Sequence, residues 1–157
     1  MRGVFVIAAL GLALGSGSVA APTPGSAVSV APSAREAAAA ADSFHAALRR
    51  GDTRAAAALL TDDALIFEEG GVERTKTEYA AHHLAADAEF SKALRSAVTR
   101  RTGHSAGSLA WIASEGRTTG TFRGKAVDRM TTETIILRRA GRGWKIVHIH
   151  WSSAAAQ

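Results

Sequence analysis

Apolar positions recur every three to four residues in the first half of the chain and every second residue in the rest. Ala37, Ala41, Phe44 and Leu48 stand at helical spacing up to Arg50, and Ser33 followed by Glu36 predicts a capping-box start. Gly51 ends that helix. Asp52 is placed to cap a shorter one through Leu60, with Leu59 and Leu60 turned inward. The run Ala64 to Phe67 predicts a strand, and Gly70 and Gly71 turn the chain back into Val72 to Arg74. Thr75 with Glu78 predicts a third helix from Lys76 to about Leu94, whose apolar stripe is Tyr79, Ala86, Phe90 and Leu94. Four strands follow, Arg95 to Thr102, Leu109 to Phe122, Lys125 to Arg139 and Trp144 to Ser153, with short glycine-bearing turns that make neighbours antiparallel. Helices first and a meander after them is the order of an α+β fold with the helices on one sheet face.

The last strand reads W-K-I-V-H-I-H-W-S-S. Strict alternation puts Trp144, Ile146, His148, His150 and Ser152 on one side and Lys145, Val147, Ile149 and Trp151 on the other. The first side, taken to face the helices, carries two imidazoles into a buried environment. The second is an apolar stripe that needs covering, which predicts a homodimer through the sheet.

Candidate chemistry gathers around the histidines. His148 and His150 stand about 6.6 Å apart along a strand. His83 lies on the third helix's stripe with Asp87 four residues on, and a two-residue turn at Gly141 and Arg142 sets Glu133 opposite His150. Three roles stay open for this set: a satisfied polar network, a general acid/base or ligand contact, and a metal site. Trp111, Glu115 and Arg117 share a strand face, where Arg117 is either at a solvated strand end or the anchor of an anionic ligand. Glu68 and Glu69 precede the Gly70 turn. No cofactor motif is present: neither a G-x-G-x-x-G nor a Walker loop occurs.

Composition narrows the class. The 157 residues, 46% hydrophobic and 21% charged, suit one globular domain, and the lack of cysteine removes disulfides and thiolate sites. The net charge of +5 comes from scattered pairs such as Arg49 with Arg50 and Arg100 with Arg101, and aromatic residues are only 6%, so no nucleic-acid surface is expected. Residues 1–20 read as an export signal cleaved after Ala20, and 21–33 as a flexible leader holding Pro22, Pro24 and Pro32. The domain then covers 34–153 with a tail at 154–157, in a periplasmic or secreted protein with no membrane contact after cleavage.

The stretch Ala46 to Ala64, A-A-L-R-R-G-D-T-R-A-A-A-A-L-L-T-D-D-A, and the last strand from Gly143 to Ser153 resemble the nuclear transport factor 2-like superfamily, which includes ketosteroid isomerase and SnoaL-like cyclases. The last strand is also similar to the end of the association domain of calcium/calmodulin-dependent kinase II. The resemblance implies a cone: a curved antiparallel sheet wrapped around a long helix, two further N-terminal helices, and a ligand cavity open at one end. It does not carry isomerase activity, because the one tyrosine, Tyr79, stands on the third helix and not in the first. The implied partner is a small hydrophobic or anionic molecule. It would meet His148, His150 and His83 as acid/base candidates, and Glu133, Asp87, Trp111, Arg117, Tyr79, Trp144 and Glu69 as wall residues. A SnoaL-like enzyme and a pure assembly module are the alternatives.

Overall fold

The computed structural model describes residues 28–156, so the expected export signal and the leader up to residue 27 lie outside the described residues. The rest of the expected leader is structured. Strand β1 (Val28–Val30) pairs in parallel with Arg101 to Gly103, and Pro32–Ala34 make a turn of 3-10 helix that leads into α1 (Arg35–Arg50). Ser33 makes no capping bond there, since the helix starts from Ala34 without a side-chain cap. Helix α2 (Thr53–Ala58) is capped as expected, Ala55 N–H donating to the Asp52 carboxylate.

Strands β2 (Leu60–Glu68) and β3 (Gly71–Glu73) follow, then α3 (Lys76–His82) and α4 (Leu84–Ala93). The long third helix is thus two helices. Thr75 accepts from Glu78 N–H as predicted, but the helix breaks at His83, and the buried residues Tyr79 and Leu84 are five apart, not three or four. That extra residue turns His83 outward, where it bonds the buried Glu73 carboxylate at the end of β3. Strands β4 (Leu94–Ala106), β5 (Leu109–Phe122), β6 (Lys125–Ala140) and β7 (Gly143–Ala155) complete a seven-stranded sheet in the order β1-β4-β5-β6-β7-β2-β3. The sheet is curved and unclosed, with α1 packed against its inner face and α4 on α1. Among the described residues no helix is long and apolar enough to cross a membrane.

Register sorts the inner face into rows. At the narrow end Leu60, Ile146, Leu137 and Ala110 stand side by side, and next to them Ile66, Ile149, Ile135 and Ile112, all buried. Each leucine or isoleucine among them contributes about 1.5–3 kcal/mol by leaving water. Gly103 continues the isoleucine row on β4, where a Cβ would fall 2.5 Å from the Ile112 methyl, so the absent side chain is what lets Ile112 fill the corner.

The alternation read along the last strand fails at Val147. On β6, Leu137 faces Ile146 and the adjacent Ile136 faces His148, so Val147 is an extra residue, a β-bulge. A one-residue slip exchanges the two faces. Trp144 and Ile146 therefore share the inner side with Ile149 and Trp151, while His148 and His150 are turned to the outer face. Glu133 accordingly stands opposite Trp151, not His150.

Candidate ligand cavity

One row beyond the isoleucines, the inner face carries polar chemistry on five adjacent strands: Glu68 on β2, Trp151 on β7, Glu133 on β6, Ser114 on β5 and Arg101 on β4. Neighbours in such a row stand about 4.8 Å apart. The next row is small: Ser153, Thr131 and Gly116, with Val98 at its end. Gly116 must be small, because a Cβ there would lie 2.8 Å from the Ala97 carbonyl oxygen. This step from isoleucines to small side chains opens a cavity of about 610 Å³ between sheet and helices, whose wall includes the whole polar row. That size suits a small organic molecule.

Helix α1 supplies the opposing wall. Asp42, His45 and Arg49, spaced three and four apart, flank the apolar stripe of Ala41, Phe44 and Leu48, and all three border the cavity. His45 Nε2 lies 2.7 Å from Glu133 Oε2, the same oxygen that accepts the Trp151 indole N–H at 2.7 Å. Burial raises the Glu133 pKa, but the hydrogen bond and charge of His45, the indole and the Arg101 charge outweigh it and leave the carboxyl below its ordinary value. Only when His45 is neutral and donates Nε2–H to this carboxylate does Nδ1 carry the lone pair with which the ring can accept a proton.

A second polar cluster lies at the β2 end. Tyr79, fully buried, donates its hydroxyl to Asp87 Oδ2 at 2.6 Å. Burial pushes Asp87 up, against the Tyr79 bond and the His83 charge that pull it down. The Tyr79 hydroxyl is raised too, by burial and the Asp87 charge. Glu68 is pushed up to about 7, first by burial and then by the charges of Asp87 and Glu69. The cavity thus holds a carboxyl that is half-protonated near neutral pH at one end of the row and an ionised carboxylate with an imidazole at its middle.

The sequence profile of the SnoaL-like domain matches residues 37–156. The chain belongs to the SnoaL-like domain family. A provisionally named ketosteroid isomerase from Shewanella frigidimarina is 35% identical to this SnoaL-like domain over 79% of this chain and 100% of its own, with a TM-score of 0.74. A provisionally named dehydratase of the NTF2-like family from Streptomyces avermitilis (18% identity, 79% and 97% covered, TM-score 0.67) and the association domain of C. elegans calcium/calmodulin-dependent kinase II (18%, 75% and 93%, TM-score 0.62) share the fold. No curated protein matches the chain. The profile match and the 35% identical structure place the chain in the NTF2-like superfamily, with the fold of a ligand-binding or enzymatic domain.

Within this SnoaL-like domain the expected site residues divide. Glu133, Asp87 and Glu69 border the cavity, and Tyr79 stands behind Asp87. His148 and His150 do not: His148 Nδ1 lies 2.8 Å from the Leu65 carbonyl oxygen, and both imidazoles meet the Phe67 ring edge-on on the outer face. His83 is held by Glu73 at the α3–α4 break. Trp111 is 42% exposed on the outer face, Arg117 is bound through two bonds to Asp128, and Trp144 is core. The predicted convergence of His83, His148, His150 and Glu133 is therefore absent, and among the described residues no three His, Asp or Glu side chains are placed to hold one metal ion. His45, Trp151, Ser114 and Arg101 were not anticipated in the cavity. The polar stripe Asp42, His45 and Arg49 beside the apolar one was the available signal for His45.

Proposed function

We propose that the chain is an exported protein whose cavity binds a small, largely apolar molecule, with the His45 and Glu133 pair in the polar part of its wall. The supporting observation is that pair: an imidazole held by an enclosed carboxylate, bordering an open cavity of about 610 Å³. An assembly module would have its cone filled by Trp111, Trp144 and Phe90. Instead Trp111 stands outside, Trp144 packs in the core, and Phe90 only borders the space. Native mass spectrometry of the purified protein is expected to show a bound small molecule that is lost in His45→Ala. A wild-type chain carrying no ligand and binding none from an extract would overturn the reading.

A second reading follows from the Nδ1 lone pair: His45 acts as a general base on the bound molecule. Incubating the complex in heavy water separates the two, since a base that abstracts a carbon-bound proton exchanges it for deuterium only while His45 is intact.

We propose further that the protein is a homodimer through the outer sheet face. Trp111, Ile136, His148 and Leu65 lie side by side there, with Phe67 in the next row and Met130 exposed beyond. Ile149 and Trp151, expected to form the outer stripe, are inside, so Trp151→Arg should disturb the cavity and leave assembly intact. Ile136→Glu should raise the dimer dissociation constant about a hundredfold, as charge at an interface centre does. A wild-type chain that sediments as a monomer at micromolar concentration would remove this proposal.

A further inference from the structure

Arg101 ends the polar row on β4, beside Ser114 across the ladder. Its side chain is only 13% exposed, yet a carboxylate meets it at one nitrogen: Nη1 donates to Asp42 Oδ1 at 2.6 Å, and Asp42 is itself 61% exposed. Nε is buried with no hydrogen-bond partner among the described residues. A buried donor on a charged group is costly to leave unmade, so native chains rarely keep one without a use.

Glu133 is not placed to satisfy it. It stands two strands away along the row, and its Oε2 is already taken by His45 and Trp151. What remains is an enclosed guanidinium whose Nε has no partner, next to a serine, in the wall of a cavity whose apolar surface comes from residues such as Leu48, Phe90 and Phe122. A guanidinium in that state recognises a planar two-oxygen anion, and a neighbouring hydroxyl adds a donor to it.

We propose that Arg101 and Ser114 form the anchoring subsite for a carboxylate, so that the cavity's ligand is an amphipathic acid. The assignment rests on the reading of the cavity as a ligand site and adds the class of ligand. Helix α1 fixes the geometry: Asp42 holds Arg101 over β4 while His45 holds Glu133 over β6. A carboxylate seated between Arg101 and Ser114 therefore sets the ligand's next carbons about one strand spacing, ~4.8 Å, from the His45 and Glu133 pair. Its apolar tail runs over Gly116 and Thr131 toward the open end.

Titration calorimetry on the wild-type protein tests this with straight-chain acids of about six to ten carbons and the primary alcohols of equal length, sizes that a cavity of this class holds. Acids are expected to bind at least about tenfold more tightly than alcohols. Arg101→Gln should erase that difference. Ser114→Ala should weaken acids severalfold and leave alcohols unchanged, and it decides the matter if Arg101→Gln fails to fold. Equal binding of acids and alcohols in the wild type overturns the carboxylate subsite and leaves the cavity reading standing. If neither class binds, both fall.

Discussion

Glu133→Ala is expected to destabilise the protein by about 3 kcal/mol, because it leaves His45 and the Trp151 indole facing an enclosed gap with no acceptor. Ligand binding should go with it, since the imidazole loses the carboxylate that holds it. Glu133→Gln is the informative companion. It keeps an acceptor oxygen and removes the charge, so the difference between the two variants separates hydrogen bonding from electrostatics. The pH dependence has a definite sign. The folded state holds the Glu133 carboxyl below its ordinary 4.5, so it binds fewer protons than the unfolded chain. Its contribution is present above about pH 4.5 and is lost as pH falls through the lowered folded value. Chemical denaturation at neutral and acid pH should show the wild type's advantage over Glu133→Gln shrinking as pH drops. An advantage that stays constant would mean that Glu133 is not ionised in the fold.

Deleting His150 should destabilise the chain by about 4 kcal/mol, the cost of losing a large aromatic side chain from its site. The deletion leaves Ile149 and Trp151 adjacent, so one of them must face outward. Trp151 would leave its stack on Phe44 and its bond to Glu133. Deleting Val147, three residues away, should instead leave a cooperatively folding protein. Val147 is the bulged residue, and without it Ile146 and Ile149 fall two apart and keep the same face by simple alternation. Thermal melts of the two deletions check the pair of predictions. If the Val147 deletion is the more damaging, the bulge does more than reconcile two halves of the strand, and the slip at Val147 is not what sets the inward face of β7.

That bulge also marks where local reading stops. The elements whose signals lie within a few residues were legible: the Asp52 cap of α2, the Thr75 cap of α3, the strand β5 from Leu109 to Phe122, and an order of elements that resembles one superfamily. Each depends on a short-range hydrogen bond or on the two-residue repeat, which neighbouring side chains alone specify. Along Trp144 to Trp151, however, both faces are apolar enough to be inside, so nothing in that stretch says where the alternation slips. The decision belongs to β6, where Leu137 takes Ile146 and Ile136 takes His148. Likewise the break at His83, where the imidazole meets the buried Glu73 of β3, could not be revealed by the stripe on one helix.

Of the residues named from the sequence, Glu133, Asp87 and Glu69 border the cavity, although Glu133 was reached through a turn register that set it against His150 and not Trp151. The cavity's composition came from register. Glu68, Trp151, Glu133, Ser114 and Arg101 are far apart in sequence and meet because five strands align them in one row. By itself the sequence determined most of the helix and strand segments, strand β1 and the break at His83 excepted, and that a cone-like fold results, since those follow from local spacing and burial. The tertiary structure alone decided which face each strand turns inward, because a one-residue slip reverses it at little local cost, and so it decided that the histidine of the cavity is His45 and not His148.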